Sequence, residues 1–182
     1  MLPVVWLQNH AGPLLFLPVS LLPDWSGVDV PDYRPVSADF RWNLEESRAC
    51  DYDRACDVND YVAAIPVSHG EGLVLNDEPC ATAWLPREWG GLFARWEYAE
   101  STHAMEAALS VIPDTLDWER KGDIGIVASP QSLFNSAEPG TEPVTPRLKI
   151  GLAQGRYDIR WARFQPDAST AVGLIELRLA PG

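Results

Sequence analysis

The histidines and cysteines are the residues of this chain best suited to nucleophilic or metal chemistry, but their spacing is typical of neither. Each histidine lies far from the others, and none stands at ligand spacing from another histidine or from a cysteine. A cysteine–histidine nucleophile pair would need the fold to bring His69 to Cys50 or Cys56, without any local signature to mark it. His69 more simply occupies a turn between two strands, in the run Ser68–Gly72.

No catalytic motif with a fixed spacing occurs. The chain lacks a nucleophile elbow, a Walker phosphate loop, a dinucleotide glycine fingerprint and a zinc-protease histidine pair. Paired carboxylates for glycoside hydrolysis follow no spacing rule, so a small hydrolase stays open as an alternative. The sequence otherwise favours a protein that is not an enzyme, with no catalytic residues and no cofactor.

The acidic run that begins at Asp51 and Asp53 resembles a hard-cation loop at first sight. A calcium-binding hand needs an oxygen ligand at position 5, glycine at position 6 and glutamate at position 12. The chain has Ala55, Cys56 and Val62 there, so we expect no metal site. These carboxylates are instead expected to cap a short helix and to pair with nearby arginines.

The net charge of the chain limits the kinds of molecule that it is expected to bind. The chain has 26 acidic and 14 basic side chains, a net charge of −12. Nucleic acids and anionic membranes are disfavoured, because phosphate binding needs clustered lysine and arginine. A cationic partner is compatible with this charge and would be steered by it. No apolar run reaches the length of a membrane span, and the N-terminus lacks the features of a signal peptide. The predicted location is therefore the cytoplasm.

Residues 23–60 combine ten acidic and four basic side chains with interleaved aromatic residues. An acidic, aromatic surface is what an interface for a basic protein would require. The alternative is a long surface connection whose aromatic side chains pack into the core. The candidate partner-binding residues in this segment are Asp24, Trp25, Asp51, Tyr52, Asp53, Asp57 and Asp60.

The cysteine count is odd, with Cys50 and Cys56 near each other and Cys80 distant. Three cysteines do not make a complete disulfide framework. We expect reduced thiols packed as small hydrophobic side chains.

Sixteen prolines and 13 glycines divide the chain into short apolar segments, a pattern that predicts many strands and few helices. One helix is predicted from Thr102 to Val111, with Ser101 or Thr102 as its cap and Pro113 beyond its end. A second short helix is predicted at 44–50 or 53–58. The predicted strands are Val4–Leu7, Leu14–Pro18, Tyr61–Val67, Leu73–Leu75, Ala81–Leu85, Leu92–Tyr98, Ile124–Ala128, Leu148–Leu152, Tyr157–Phe164 and Leu174–Leu179.

This pattern predicts a single, mainly β domain over residues 1–182. It would be β-sandwich-like with one or two short helices, and an α+β sheet with a docked helix is the alternative. The strands Leu92–Tyr98 and Tyr157–Arg163 alternate as half-buried strands do. They also share Gly and Arg-Trp at one offset of 65 residues, starting at Gly90 and Gly155. Either two related modules, 60–100 and 121–165, arose by duplication, or two antiparallel hairpins resemble each other by chance.

Eight tryptophans on a β-rich chain also suggest a carbohydrate- or peptide-binding module. Trp84, Trp96 and Trp161 stand at positions where core packing is expected. Trp89, between Glu88 and Gly90 in a predicted turn, is the best candidate for exposure. Coplanar exposed tryptophans in a groove would favour this alternative.

Several short runs along nearly the whole chain resemble the immunity protein 21 family of bacterial polymorphic toxin systems. They are Gly12–Pro18, Leu22–Gly27, Asp51–Cys56, Asp60–Val62, Gly72–Pro79, Ala83–Pro86, Leu133–Gly140 and Gly155–Tyr157. The resemblance implies a small cytosolic protein, made beside a toxin, that binds the toxin and neutralises it without chemistry. It supplies no catalytic residues. If the toxin is a nuclease, its basic active-site cleft would suit an acidic cover.

Overall fold

Eleven strands form two antiparallel sheets in a computed structural model, which describes residues 4–29, 50–76, 78–141 and 146–181. The six-stranded sheet has the order β1-β5-β6-β11-β10-β7, and the five-stranded sheet has the order β3-β4-β2-β8-β9. This arrangement confirms the predicted mainly β, sandwich-like fold. The strands are β1 (Trp6–Leu7), β2 (Leu14–Pro18), β3 (Val62–Val67), β4 (Gly70–Leu75), β5 (Thr82–Arg87), β6 (Gly90–Tyr98), β7 (Glu119–Ile126), β8 (Gln131–Asn135), β9 (Leu148–Ile150), β10 (Gly155–Asp167) and β11 (Thr170–Leu179).

The main core lies between the two sheets. Phe16 of β2 meets Phe93 of β6 edge-on, with ring centroids 5.3 Å apart. Leu73 from one sheet and Ile159 and Ile175 from the other are buried in the same cluster. The burial of these apolar faces provides the main attraction between the sheets.

Helices cover the outer faces of both sheets. A 3₁₀ helix (Val19–Asp24) and α1 (Asp51–Cys56) lie on the five-stranded sheet, and α2 (Thr102–Ser110) lies on the six-stranded sheet. Helix α2 begins as predicted, because the Ser101 hydroxyl accepts a hydrogen bond from the Ala104 N–H at 3.1 Å. The predicted helix at 53–58 corresponds to α1, whereas 44–49 lies outside the described residues.

Strand β6 differs from its predicted half-buried alternation. Leu92 and Ala94 are buried under α2, and Phe93 and Arg95 on the opposite face are also buried. The reason is position, since β6 lies between β5 and β11 in the middle of its sheet and α2 covers its outer face. Strands covered on both sides do not alternate in exposure.

Strand β8 and the 3₁₀ helix are not among the predicted elements. Gln131 and Ser132 interrupt the apolar pattern of β8, yet both are buried. The Gln131 side chain satisfies its polar groups locally, because its amide donates to the Ala128 carbonyl and its oxygen accepts from Leu152 N–H at 2.9 Å. A buried glutamine with both bonds made is compatible with a core strand.

The suggested modules 60–100 and 121–165 each supply strands to both sheets. The matched residues Gly90 and Gly155 each begin a strand, with φ of 137° and 155°. Internal duplication itself stays a prediction.

Candidate protein interface

Helix α1 is tied at both ends to neighbouring segments. The Asp53 carboxylate accepts a hydrogen bond from the Cys50 N–H at 2.9 Å, which caps the helix. The Asp51 carboxylate accepts from the Ser26 N–H at 2.8 Å and pairs with Arg54, also at 2.8 Å. Arg54 in turn donates to the Pro66 carbonyl of β3. These contacts hold the end of the 3₁₀ helix beside α1.

The seven candidate residues therefore fall into groups with different roles. Asp24 and Asp57 are exposed and make no ion pair with a described residue. Asp51 and Asp53 are half-buried and their carboxylates make the bonds that position α1. Their main role is therefore to hold α1 in position, and they contribute less to the charge of the exposed surface.

Trp25 is not a surface contact. Its side chain is 1% exposed and packs with Leu21 and Phe134. The indole N–H donates to the Ser136 carbonyl at 2.9 Å, which joins the 3₁₀ helix to the segment after β8. For this residue the structure favours packing into the core over exposure to a partner.

Tyr52 is half-buried between α1 and the turn before β2. A Cβ placed on Gly12, whose φ is +66°, would lie 2.6 Å from the Tyr52 hydroxyl, so the ring needs glycine there. Burial raises the pKa of Tyr52, and a hydrogen bond with Cys56 raises it further. Tyr52 therefore presents a neutral hydroxyl at neutral pH.

The cysteines are free, as expected, but they are not core residues. Cys56 is exposed, and Cys50 and Cys80 are intermediate. Burial is the main cause that raises the pKa of the Cys50 thiol. The expectation of thiols packed as small hydrophobic side chains is wrong for Cys56, because it lies at the outward end of α1.

Asp60 joins the two sheets through Lys121. Lys121 is the extra residue of a β-bulge, since its neighbours Arg120 and Gly122 pair with successive residues of β10 while Lys121 pairs with none. Its side chain is only 7% exposed, and the ammonium lies 2.8 Å from Asp60 and 2.7 Å from Glu119. The bulge thus directs a lysine of the six-stranded sheet toward the segment that leads into β3.

Protonation of this pair is coupled to folding. The hydrogen bond from Lys121 lowers the pKa of Asp60. Burial lowers the pKa of Lys121, but the hydrogen bonds to Asp60 and Glu119 outweigh it and leave the pKa raised. Because its pKa is lowered, the Asp60 carboxylate stabilises the fold at neutral pH. This contribution is lost as the pH falls through the lowered pKa. The raised lysine pKa stabilises the fold below about pH 10.4, and this contribution is lost as pH rises through the raised value.

We expect Lys121→Met to lower the free energy of unfolding by about 1–2 kcal/mol at neutral pH, because the carboxylates lose a hydrogen-bonded cation while remaining partly in water. Urea denaturation of both proteins should show this difference unchanged from about pH 5 to 9 and smaller below about pH 4 and above about pH 10.5. Lys149→Met, at the exposed second lysine, is the control. A difference that stays constant at every pH would contradict the assignment.

An open groove of about 750 Å³ lies beside this pair, where the end of β6 and the middle of β10 meet the segments that enter β3 and β5. One smaller depression shares Tyr61 with the groove, another shares Pro79 with it, and these two depressions share Cys56. One concave surface therefore runs from α1 to β10. Its lining includes Tyr61, Glu78, Trp96, Glu97, Trp161 and Arg163.

Two stacked aromatic rings form one wall of the groove. Tyr61 and Trp161 lie parallel, with centroids 4.2 Å apart and an interplanar angle of 5°. Tyr61 is 42% exposed. Trp161 therefore covers one face of Tyr61, and the residue as a whole stays well exposed. Tyr61 directly follows the acidic segment 23–60 but is not among the candidate residues, and no local signal joins it to Trp161, which lies 100 residues further on.

Charges of the described surface are unevenly paired. Most described arginines have acidic partners, as Arg163 has Glu97 at 2.7 Å and Arg120 has Asp158 at 3.1 Å, whereas Arg87 and Arg95 bond only to backbone carbonyls of described residues. Several exposed carboxylates make no such pair with a described residue: Asp24, Asp57, Glu88, Glu100, Asp114 and Asp117. The excess negative charge is therefore displayed to solvent, where it can steer a cationic partner.

The described residues do not place a bonded carboxylate or cysteine beside His69, as a cysteine–histidine nucleophile pair would need. His69 lies exposed in the turn between β3 and β4, with Nδ1 3.3 Å from the Ser68 hydroxyl, and neither a described carboxylate nor a described cysteine bonds to it. The described ranges contain no group of three or more side chains that could hold a metal ion. Within the same ranges, no helix has the length and apolar character needed to cross a membrane.

Comparison with known proteins identifies a family, although it finds neither a curated protein nor a solved structure with significant similarity to this chain. The family model for immunity protein 21 matches residues 5–170, which include strands β1 to β10 and the first residue, Thr170, of β11. A match over this much of the chain shows that the protein belongs to the immunity protein 21 family.

Proposed function

We propose that this protein binds a cognate bacterial toxin and neutralises it by direct contact, without carrying out chemistry. Membership of the immunity protein 21 family is the observation that carries the proposal. The family implies a protein made beside the toxin and acting in the cytoplasm of the producing cell. The net charge of −12 agrees with a protein partner that is basic rather than with nucleic acid or an anionic membrane.

The proposed contact surface begins at α1 and the 3₁₀ helix beside it. Asp24, Asp57 and Asp60 would face the toxin as exposed carboxylates, and Tyr52 would contribute its exposed edge. Asp51 and Asp53 would hold α1 in place, and buried Trp25 would hold the 3₁₀ helix. A toxin that binds phosphate groups has a basic cleft, and an acidic cover of this kind would exclude its substrate.

The first experiment is a growth rescue test. The polypeptide encoded immediately upstream of this protein's gene is expressed in a bacterial host with and without the protein, and the pair is then purified together. Growth only in the presence of the protein, with a stable complex, is the expected result. A harmless upstream product, or toxicity without rescue and without binding, would contradict the proposal and lead to a glycan and peptide screen.

Charge reversal tests where the contact lies. We expect the double variant Asp24→Lys and Asp57→Lys to bind the upstream-encoded toxin at least about tenfold more weakly, because close charge pairs lose attraction and gain repulsion. Titration calorimetry at two salt concentrations measures the change. Asp114→Lys with Asp117→Lys makes the same change in net charge at exposed positions between α2 and β7, and is the matched control. Equal weakening by both double variants would assign the effect to overall charge and contradict this interface.

The carbohydrate-binding alternative depends on coplanar exposed tryptophans, and the described groove does not contain them. Trp161 is covered on one face by Tyr61, and Trp96 meets Trp6 edge-on at 5.2 Å. Trp89, the candidate for exposure, is half-buried, with the Arg178 guanidinium 4.1 Å from its ring. The glycan and peptide screen after a failed rescue remains the test of that alternative.

A further inference from the structure

We propose that the groove between α1 and β10 receives a cationic side chain, arginine or lysine, from the toxin, and that this side chain lies on the open face of Tyr61. This inference rests on the proposed function, because it names the part of the toxin that the groove would hold. It is carried by the ring geometry, by the distribution of carboxylate oxygens around the ring, and by the fixed backbone of the groove wall.

The ring geometry leaves a suitable surface open. Aromatic faces attract cations through their electron density, and arginine also stacks on them. Trp161 supports Tyr61 from behind, and Tyr61 remains 42% exposed. Tyr61 thus lines the groove as an exposed ring with Trp161 stacked on one face, and the opposite face is the surface to which we assign the cation.

Lys121 does not occupy that face. Its ammonium lies 5.6 Å from the centroid of Tyr61 and 6.0 Å from the centroid of Trp161. Nearly equal distances to two parallel rings place the ammonium beside the stack, since a cation on the outer face of Tyr61 would be much farther from Trp161. Lys121 is also neutralised by Asp60 and Glu119. A second cation at the outer face of Tyr61 would therefore approach a lysine whose positive charge is already balanced by two carboxylates.

The carboxylate next to the ring still has bonding capacity. Oδ1 of Asp60 accepts from both the Lys121 ammonium at 2.8 Å and the Tyr61 N–H at 2.7 Å. No described residue bonds to Oδ2, and the side chain is 45% exposed. In Glu97, Arg163 likewise takes Oε2 and no described residue takes Oε1. A guanidinium stacked on Tyr61 could thus donate to carboxylate oxygens at the rim, whereas an anionic group would be repelled by them.

The groove wall is held in place by backbone bonds. The Tyr61 carbonyl accepts from Asn76 N–H at 3.0 Å, and the Trp96 N–H donates to the Ala81 carbonyl at 2.9 Å. Arg95, 1% exposed, donates to the Glu78 carbonyl at 2.9 Å. A preformed wall loses little conformational freedom when a side chain enters, which favours binding.

A direct test uses N-acetyl-arginine amide as the probe and N-acetyl-citrulline amide as its uncharged equivalent of nearly the same shape. The indole N–H resonance of Trp161, assigned by comparison with Trp161→Phe, is followed during titration of the full protein. We expect a saturable shift with the arginine amide, a much smaller one with the citrulline amide, and loss of the arginine effect in Tyr61→Leu. Equal shifts with both amides, or no shift with either, would overturn the proposal.

The second test measures toxin affinity. We expect Tyr61→Leu to weaken binding of the upstream-encoded toxin about 30-fold, as for a central interface residue, while Tyr61→Phe retains the aromatic face and binds as the original protein does. Tyr98→Leu is the control at a tyrosine of similar exposure, 38%, that does not line the groove. Thermal unfolding of each variant verifies that the fold is retained.

The outcomes separate this inference from the proposed function. Rescue and binding that persist unchanged in Tyr61→Leu would overturn the cation site and leave the immunity function standing. Absence of toxin binding by the original protein would contradict the proposed function, and the arginine titration would still decide whether the groove takes a cation.

Discussion

Replacing Trp25 by alanine should lower the free energy of unfolding by about 3–5 kcal/mol, the loss found when a large aromatic side chain is removed from a core. The ring is 1% exposed and packs against Leu21 and Phe134 on the outer face of the five-stranded sheet. Its indole N–H bond to the Ser136 carbonyl would also be lost, leaving a buried acceptor with one partner fewer. Urea denaturation followed by circular dichroism measures the change.

Trp25→Phe separates packing from hydrogen bonding. It keeps most of the ring but removes the N–H donor, so we expect a loss of about 1–2 kcal/mol. Loss of Trp25 should also weaken toxin binding, because the ring positions the 3₁₀ helix that carries Asp24. A Trp25→Ala protein as stable as the original would contradict the burial of this residue, and equal losses for both variants would assign the effect to the hydrogen bond alone.

Gly90→Ala is the second substitution with a large expected effect, a loss of about 3 kcal/mol. Gly90 has a φ of 137°, and a Cβ there would lie 2.1 Å from the Leu177 carbonyl oxygen of β11. Backbone of a paired central strand cannot move away as a side chain can. The expected loss of stability therefore combines the cost of displacing β11 with the cost of an unfavourable backbone conformation at residue 90. Urea denaturation again gives the change in unfolding free energy.

Gly155→Ala is the matched comparison. Gly155 also begins a strand and has a φ of 155°, but a Cβ there would meet the end of the Leu179 side chain at 2.6 Å. Leu179 is 44% exposed and can change rotamer, so we expect a loss of about 1–2 kcal/mol, from the backbone conformation. Equal losses at the two glycines would show that the clash with Leu177 is relieved by the backbone after all.

The sequence predicted the strand content well because local alternation and turn residues report it directly. Leu14–Pro18 forms a strand with the predicted bounds, and α2 begins at the predicted Ser101 cap. Patterns of apolar residues were less informative where tertiary packing covers both faces of a strand. Leu92–Tyr98 is predicted to be half-buried, and only the docking of α2 on one face and of the second sheet on the other buries both faces of β6.

For the candidate interface, the sequence located the acidic segment but did not assign roles within it. Asp51, Asp57 and Trp25 all lie in the acidic segment, yet Asp51 positions α1, Asp57 is exposed without an ion pair to a described residue, and Trp25 is buried. Hydrogen bonds to Ser26 and Ser136 decide between these outcomes, and their partners are distant in sequence. Polar pairings of this kind leave no periodic pattern.

The sequence by itself determines the family, the fold class and the net charge. Each of these depends on many residues together, so a wrong prediction at one residue does not change it. The groove is different. One of its walls forms because the sandwich brings Trp161 of β10 against Tyr61, 100 residues away, and the β-bulge that turns Lys121 toward Asp60 lies beside it. Such contacts depend on strand order and register, which antiparallel sheets set through pairing between distant segments. Only the tertiary structure could decide them.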